Sequence, residues 1–239
     1  MRQKIRKGIL LFSALLFPFT FFFLSPFVIV MSASQGIING SAVIFGLLLL
    51  FSLITSRLYC GWLCPGGAVQ DYAASANGRR WNGRIKNAIK YVIWGVWLSF
   101  IIFLWVSHRP LSVDFAFQWS VDLQYMIIYA IVMMVILTLS LFTGKRGMCH
   151  SFCWMAPFMV VGEKLSDFLH IPRFRLQAEP DRCTSCGKCT RNCPMSLDVS
   201  AMVQAGKMDS AECISCLLCV DGCPEHAIHC GILPKQHKR

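Results

Sequence analysis

Cysteines in the last third of the chain occur in two copies of one four-cysteine pattern. The copies are Cys183, Cys186, Cys189 and Cys193 before Pro194, and Cys213, Cys216, Cys219 and Cys223 before Pro224. Three cysteines at three-residue steps wrap one face of an iron–sulfur cube, and the fourth, next to proline, turns away to ligate the other cube. The pattern therefore predicts two [4Fe-4S] clusters. Their predicted ligands are Cys183, Cys186, Cys189 and Cys223 for cluster I, and Cys213, Cys216, Cys219 and Cys193 for cluster II.

Structural zinc and a disulfide framework are the competing interpretations of these cysteines. A zinc site takes four ligands and usually pairs two two-cysteine units, which consecutive four-cysteine runs ending in Cys-Pro fit poorly. Cys230 remains after both sets are complete, and we expect a structural or free thiol there.

Two further cysteine pairs lie upstream, and both have a four-residue spacing. They are Cys60 with Cys64 and Cys149 with Cys153, and corresponding cysteines are 89 positions apart. Residues four apart share one face of a helix, so each pair could present two thiolates in one direction. Four converging thiolates would hold a third iron–sulfur cluster. A redox dithiol and plain packing remain as alternatives.

Four apolar runs indicate a membrane protein. They lie at about Ile9 to Met31, Ile37 to Thr55, Ile89 to Val106 and Met126 to Phe142, in a chain of 239 residues that is 55% hydrophobic. A transmembrane helix needs about 20 apolar residues, so we expect the first two runs to span comfortably and the last two to borrow flanking residues. The first run is too long for the apolar region of a signal peptide, and we expect it to be retained.

The basic residues set the expected orientation and account for the net charge of +11. They cluster before the first run, between the second and third, and after the fourth, which predicts a multi-pass protein with both termini in the cytoplasm. The iron–sulfur ligands then face a compartment where thiols stay reduced. No nucleic-acid motif accompanies the charge, so we expect no nucleic-acid partner.

The loop between the third and fourth runs could contribute to a quinol-binding site. Such a site needs a hydrogen-bonding acid or base near the membrane boundary and an apolar slot for the ring. His108 and Asp114 could supply the first requirement. An ordinary interfacial loop is the alternative interpretation.

The arrangement of Arg57 to Pro65, Cys149 to Cys153, Cys183 to Pro194 and Cys213 to Pro224 resembles the NapH family, which is related to MauN and to the membrane part of NosR. The resemblance implies electron transfer from menaquinol or ubiquinol toward a partner reductase. One departure is that Cys153 is followed by Trp154, with the proline delayed to Pro157, where the family pattern is Cys-Pro. No flavin-binding extension is visible, so we do not expect a NosR-like flavoprotein.

Together these features predict an all-α membrane domain over residues 1–170 and a small α+β ferredoxin domain over residues 171–239. The membrane domain would have four transmembrane helices in two parallel helix-pair repeats, in a bacterial-type cytoplasmic membrane. The predicted function is electron transfer between the quinone pool and a partner redox subunit, namely a reductase, a ferredoxin-like subunit or a multihaem cytochrome. The alternative is an electron donor for metalloenzyme maturation. The chain carries no triad, phosphate loop or nucleotide fingerprint, so we do not expect a stand-alone enzyme.

Overall fold

The computed structural model describes residues 1–74, 77–80, 84–117 and 123–234. The amino-terminal part contains, in order, α1 (Arg2–Thr20), α2 (Pro26–Ala33), β1 (Ile37–Asn39), α3 (Gly40–Thr55), α4 (Leu58–Trp62), α5 (Pro65–Ala73), α6 (Arg84–Ser107), β2 (Ser112–Asp114), α7 (Leu123–Thr143), α8 (Gly147–Ser151) and α9 (Met155–Phe168). The carboxy-terminal part contains β3 (Arg173–Ala178), α10 (Lys188–Asn192), α11 (Val199–Gln204), α12 (Leu218–Asp221) and β4 (Ile228–Leu233).

The first apolar run forms two helices separated by a 3-10 turn at Phe22–Leu24. Pro26 is the first residue of α2, and the Ser25 hydroxyl accepts a hydrogen bond from the Val28 amide at 3.4 Å. A serine cap followed by proline starts a new helix, because proline has no amide hydrogen to continue the previous one. Pro26 therefore separates two helices within the run that the sequence predicted as one membrane-spanning segment.

The other three runs also form helices: the second is shorter than expected, and the last two gain flanking residues, as predicted. The helix α3 has 16 residues, which at 1.5 Å per residue is about 24 Å, short of the roughly 30 Å hydrocarbon core. The helices α6 and α7 have 24 and 21 residues because flanking residues join each apolar run.

Two helical segments in the described part of the chain are long and apolar enough to cross a membrane, namely Ala88–Ser107 and Met126–Thr143. Only 11% of each is buried inside the protein. A core helix of a soluble protein would be mostly buried, so these exposed apolar surfaces indicate a membrane protein. The prediction of four membrane spans is not confirmed by this criterion and stays a prediction.

The membrane part has two distinct ends. At one end β1 and β2 pair in parallel, with Ile37 opposite Ser112 and Asn39 opposite Asp114. At the other end the amino terminus contacts the ferredoxin part, where the Gln3 side chain donates to the Cys216 carbonyl at 3.1 Å. The segments α1–α2, α3 and α6 each connect these two ends of the structure.

The helices α3 and α9 approach each other at Gly162. A Cβ atom at this position would lie 2.6 Å from the Leu49 carbonyl oxygen and would overlap the Ser52 hydroxyl. A glycine is therefore needed where the two helix backbones meet, and α9 is held against α3 close to the second cysteine pair.

The carboxy-terminal part has the topology predicted for a small α+β ferredoxin domain. Strands β3 and β4 pair antiparallel, with Arg173 opposite Leu233 and Ala178 opposite Ile228. The two four-cysteine runs lie between these strands and contain the short helices α10 and α12. The domain boundary predicted at residue 170 falls between α9 and β3.

Replacing Gly162 tests the α3–α9 contact. We expect Gly162→Ala to lower the free energy of unfolding by about 1–3 kcal/mol, because the added methyl group overpacks a backbone contact. The matched control is Gly46→Ala at an exposed position of α3, where an added Cβ atom has no neighbour within 4 Å. Thermal unfolding in detergent measures both, and equal melting temperatures for the two variants would contradict the close contact.

Candidate iron–sulfur centres

The two four-cysteine loops fold alike. Each has a serine with positive φ, Ser185 at 56° and Ser215 at 51°. Two positions later comes a second residue in the left-handed conformation, which directly precedes a short helix. That second residue is Gly187 in the first loop and Leu217 in the second. Left-handed residues turn successive amides toward the inside of a loop, which suits a cavity that must hold an anionic cluster.

The first cavity is lined by the four predicted ligands of cluster I. Cys183, Cys186 and Cys189 come from the first loop, and Cys223 comes from the second. The cavity has a volume of about 360 Å³ and opens toward solvent, where Cys186 is exposed. The structure thus brings the fourth cysteine of the second run to the first loop.

The second cavity, of about 420 Å³, is lined by Cys213, Cys216 and Cys219 together with Cys193 from the first run. Burial raises the pKa of the Cys213 thiol to about 12 and that of the Cys216 thiol to about 11. Free thiolates would be unstable at such a site, and iron bound there would supply the positive charge that thiolates need.

A single metal ion fits these sites less well than a cluster. Within the described ranges, no group of three Cys, His, Asp or Glu side chains lies close enough to hold one ion. An iron–sulfur cube spreads its four thiolate ligands over separate iron atoms, so it suits wider cavities lined by four cysteines. The residues present therefore fit two [4Fe-4S] clusters, and the ligand assignment stays a prediction.

The upstream cysteine pairs occupy matching positions in two similar helical turns. Cys60 lies in α4 and Cys64 caps α5, while Cys149 lies in α8 and Cys153 precedes α9. The expectation that each pair shares one face of a continuous helix is wrong, because both short helices end before the second cysteine. The later position of the proline after the second pair goes with a later helix start. Helix α5 starts at Pro65, directly after Cys64, whereas Trp154 separates Cys153 from the start of α9 at Met155.

All four upstream thiols are close enough to influence one another. Burial raises the pKa values of Cys60, Cys64, Cys149 and Cys153, and neighbouring thiols raise them further. The Gln70 side chain donates to the Cys149 sulfur at 3.1 Å, and the Met159 sulfur lies 3.3 Å from the Cys60 sulfur. We refer to Cys60, Cys64, Cys149 and Cys153 as the edge cysteines.

Two buried arginines lie beside the edge cysteines. The side chains of Arg57 and Arg146 are 1% and 0% exposed, and they oppose the pKa rise of Cys60. Arg146 donates to the Cys60 carbonyl at 2.8 Å and to Asp71 at 2.6 Å. Arg57 Nε and Arg146 Nη2 have no hydrogen-bond partner in the part of the chain that the structure describes. Positive charge and unpaired donors next to four thiols fit an anionic iron–sulfur cluster.

The edge cysteines pack directly against the cluster II loop. A Cβ atom at Gly61 would clash with the Ile214 carbonyl oxygen and would lie 3.3 Å from Cys216 Cα. The Trp62 indole donates to the Ser215 carbonyl at 3.1 Å. Cys60, Cys149, Cys193, Cys216 and Cys219 belong to one buried apolar cluster. The three cysteine sets therefore form a contiguous series, from the edge cysteines through cluster II to cluster I.

The residues predicted for quinol binding lie at the β1–β2 end of the structure, just after α6 and on β2. His108 is exposed, with its Nδ1 atom 3.0 Å from the Leu104 carbonyl oxygen. Asp114 is exposed on β2 and accepts a hydrogen bond from the Ala116 amide at 3.0 Å. The structure brings neither residue to a cysteine or to a described cavity. Cys230 lies on β4 opposite Leu176, outside both cluster cavities.

Sequence reasoning missed the residues that surround the edge cysteines. In the sequence, Arg57 and Arg146 are simply basic residues that flank apolar runs, and no motif distinguishes Gln70 or Gly61. Arg57 and Arg146 do occupy the same position in each repeat, three residues before the first cysteine. This repeated position is the sequence feature from which the role of the two arginines could have been predicted.

Fold and sites together define a ferredoxin-type iron–sulfur protein with an apolar helical part. Residues 40–84 and 125–172 match the family model of a 4Fe-4S binding domain. Residues 175–224 match that of a 4Fe-4S dicluster domain. The first model thus matches twice, and each match contains one pair of edge cysteines, which is consistent with the repeat seen in the sequence.

Several curated proteins are similar to this chain over most of its length. The chain is 26% identical to the ferredoxin-type protein NapH of Haemophilus influenzae, over 78% of this chain and 65% of NapH. It is 23% identical to the methylamine utilization ferredoxin-type protein MauN of Methylobacillus flagellatus, over 71% of this chain and 60% of MauN. It is also 23% identical to YccM of Escherichia coli, which is named for electron transport, over 74% of this chain. The resemblance predicted from the sequence is confirmed: the chain is a homologue of the NapH and MauN ferredoxin-type proteins.

The chain spans about half the length of YccM, 51%, and less than two thirds of NapH and MauN. No solved structure matches it.

Double variants test the crossed ligand sets. Cys193→Ser combined with Cys213→Ser should lose one cluster, because both residues are assigned to cluster II. Cys193→Ser combined with Cys183→Ser, the matched control, should lose both clusters. Iron content and electron paramagnetic resonance of the reduced protein measure the outcome. Loss of both clusters in the first variant and of one in the second would show that each run binds its own cluster.

Proposed function

We propose that this chain is a membrane-embedded electron-transfer protein that passes electrons between quinol and a partner redox protein. The observation that carries the proposal is the contact between Gly61 and the loop predicted to hold cluster II, because this loop packs against the helix that carries Cys60. Electron transfer between centres requires short separations, and the packing of the cysteine sets in series supports such separations. The edge cysteines lie nearest the apolar helices, and cluster I lies nearest solvent.

A third cluster at the edge cysteines completes this series. Support comes from four mutually interacting thiols, of which Cys60 and Cys149 are buried, from two buried arginines and from a 4Fe-4S binding domain model that matches both cysteine pairs. A [4Fe-4S] cluster supplies reversible one-electron transfer when bound. The protein's residues would hold it, exclude water from it and balance its negative charge. Gln70 would orient Cys149 through the hydrogen bond to its sulfur.

The proposal includes four membrane crossings. The segments α1–α2, α3 and α6 extend between the cysteine end and the β1–β2 end, and α7 returns to the cysteine end, where α8 carries Cys149. Because these segments connect the same two ends, they would all cross the same membrane layer. This includes α3, although α3 is shorter than the hydrocarbon core. The basic residues gather at the cysteine end, and the positive-inside rule then supports a cytoplasmic location of both termini.

Exposure points to cluster I as the contact with the partner. Cys186 is exposed, whereas Cys193, Cys216 and Cys219 of cluster II are buried. A partner that approaches the ferredoxin part from solvent therefore meets cluster I first. Suitable partners are a reductase, a ferredoxin-like subunit or a multihaem cytochrome. Oxidation of one quinol releases two electrons for that partner and two protons for water.

A serine substitution at an edge cysteine tests this function. We expect the Cys153→Ser variant to contain less iron, by the amount that one cluster holds. We also expect decylubiquinol or menadiol to reduce its clusters at least about tenfold more slowly. Dithionite should still reduce clusters I and II in this variant, because their ligands are unchanged. The matched control is Cys230→Ser, which removes a thiol outside the three sets.

Anaerobic absorbance and electron paramagnetic resonance follow each reduction. Wild-type clusters that never respond to quinol, even with copurifying subunits present, would contradict the quinol part of the proposal. Copurification of a metal chaperone in place of a redox subunit would favour the maturation role.

A further inference from the structure

A large cavity lies between α1–α2, the start of α5, α7 and the α8–α9 turn, with an enclosed volume of about 600 Å³. Cys64, Cys149 and Cys153 lie at one end of it. We call this region the thiol end. The cavity therefore connects the apolar helices with the edge cysteines.

The cavity is too large for an iron–sulfur cluster alone. The cavities lined by the cluster I and cluster II ligands measure about 360 and 420 Å³. On the same measure, which includes space open to the surroundings, this cavity is about four times as large, at about 1670 Å³. Ligand pockets for drug-sized molecules have volumes of about 300–1,000 Å³. The enclosed volume of about 600 Å³ lies within that range, so the cavity has room for an organic molecule next to the cluster.

The walls are apolar and aromatic, and the cavity is long. Gln124, Ile128, Val132 and Ile136 line it along one face of α7. Twelve residues separate the first and last of these, which corresponds to about 18 Å at 1.5 Å per residue. Phenylalanines of the α1–α2 turn form the facing wall, including Phe17, Phe21 and Phe22. This shape suits a flat ring that carries a long hydrocarbon tail.

The thiol end of the cavity is more polar than its other walls. Gln70 is 3% exposed, and its amide nitrogen lies 3.0 Å from the Gly66 carbonyl oxygen and 3.1 Å from the Cys149 sulfur. Gly66 lies in the first turn of α5, where backbone amides have no acceptor within the helix, and the neighbouring Gly67 amide donates to Cys64. A phospholipid acyl chain needs no polar partner at its end. A quinone ring, in contrast, carries two oxygens that require such partners.

We propose that this cavity binds an isoprenoid quinone or quinol, with its ring at the thiol end and its tail along α7 toward Gln124. The inference rests on the proposed function and adds the place of the site. It puts the ring beside the edge cysteines, whereas His108 and Asp114 lie outside the lining residues. In this position the ring would be adjacent to the first centre of the series.

Two tryptophan substitutions at neighbouring positions test the site. Val132 lines the cavity, whereas Ile131 is 57% exposed on another face of α7. We expect Val132→Trp to weaken binding of heptyl-hydroxyquinoline N-oxide, a fluorescent quinol analogue, at least about tenfold, because the indole fills the slot. Ile131→Trp, the matched control, should bind within about twofold of the wild type. Fluorescence quenching in detergent measures binding without any electron transfer.

Dithionite-reducible cluster signals verify that each variant is folded. If Val132→Trp lowers these signals, the smaller change Val132→Phe replaces it in the same assay. Equal affinities for the Val132 and Ile131 variants would overturn the proposal. Mass spectrometry of the intact protein that shows a phospholipid retained in the cavity, with no binding of the analogue, would overturn it in favour of an acyl chain. Analogue binding with clusters that never accept electrons from quinol would instead refute the proposed function and leave the binding site standing.

Discussion

The contact between α4 and the cluster II loop holds the two halves of this protein together as one electron-transfer unit. Gly61 is needed because any side chain there would clash with the Ile214 carbonyl oxygen. Around it, Trp62 binds the Ser215 carbonyl and Gln3 binds the Cys216 carbonyl, both at 3.1 Å. Backbone carbonyls of one half thus accept hydrogen bonds from side chains of the other. A ferredoxin domain on a free linker would not keep its clusters at a fixed distance from the edge cysteines.

Buried ion pairs reinforce this arrangement. Asp71 accepts from Arg146 at 2.6 Å and from Arg6 at 2.9 Å. Although burial opposes it, these two arginines lower the pKa of the Asp71 carboxyl group. Glu212, next to cluster II, pairs with Lys90 of α6 at 2.6 Å and lies 3.6 Å from Arg57. Buried pairs add little net stability but are costly to break, at about 3–5 kcal/mol for loss of one partner. We infer that they mainly fix how the ferredoxin part sits on the helices.

The sequence predicted the local features better than the packing. The two four-cysteine loops were predictable because ligand spacing and turn geometry are properties of a few consecutive residues. Helix lengths were harder, since counting apolar residues ignores caps. Ser25 before Pro26 and Asn39 before α3 start new helices inside apolar runs, and both are recognisable start signals. The docking of Gln3 and Gly61 on the cluster II loop joins residues more than 150 positions apart. No periodicity or composition encodes such a contact.

The environments of the three cysteine sets differ in ways that bear on the direction of electron flow. Positive charge near a cluster favours its reduced state, which carries one more negative charge, and so raises the reduction potential. The edge cysteines have Arg57 and Arg146 beside them, both almost completely buried and therefore poorly screened. Cluster II also has positive charge nearby, since Arg6 and Arg146 oppose the pKa rise of Cys216. The two guanidinium groups beside the edge cysteines would stabilise the reduced state of the cluster proposed there, which suits a centre that accepts an electron from a donor in the membrane. Cluster I, whose predicted ligand Cys186 is exposed, would gain stabilisation of its reduced state from solvent instead.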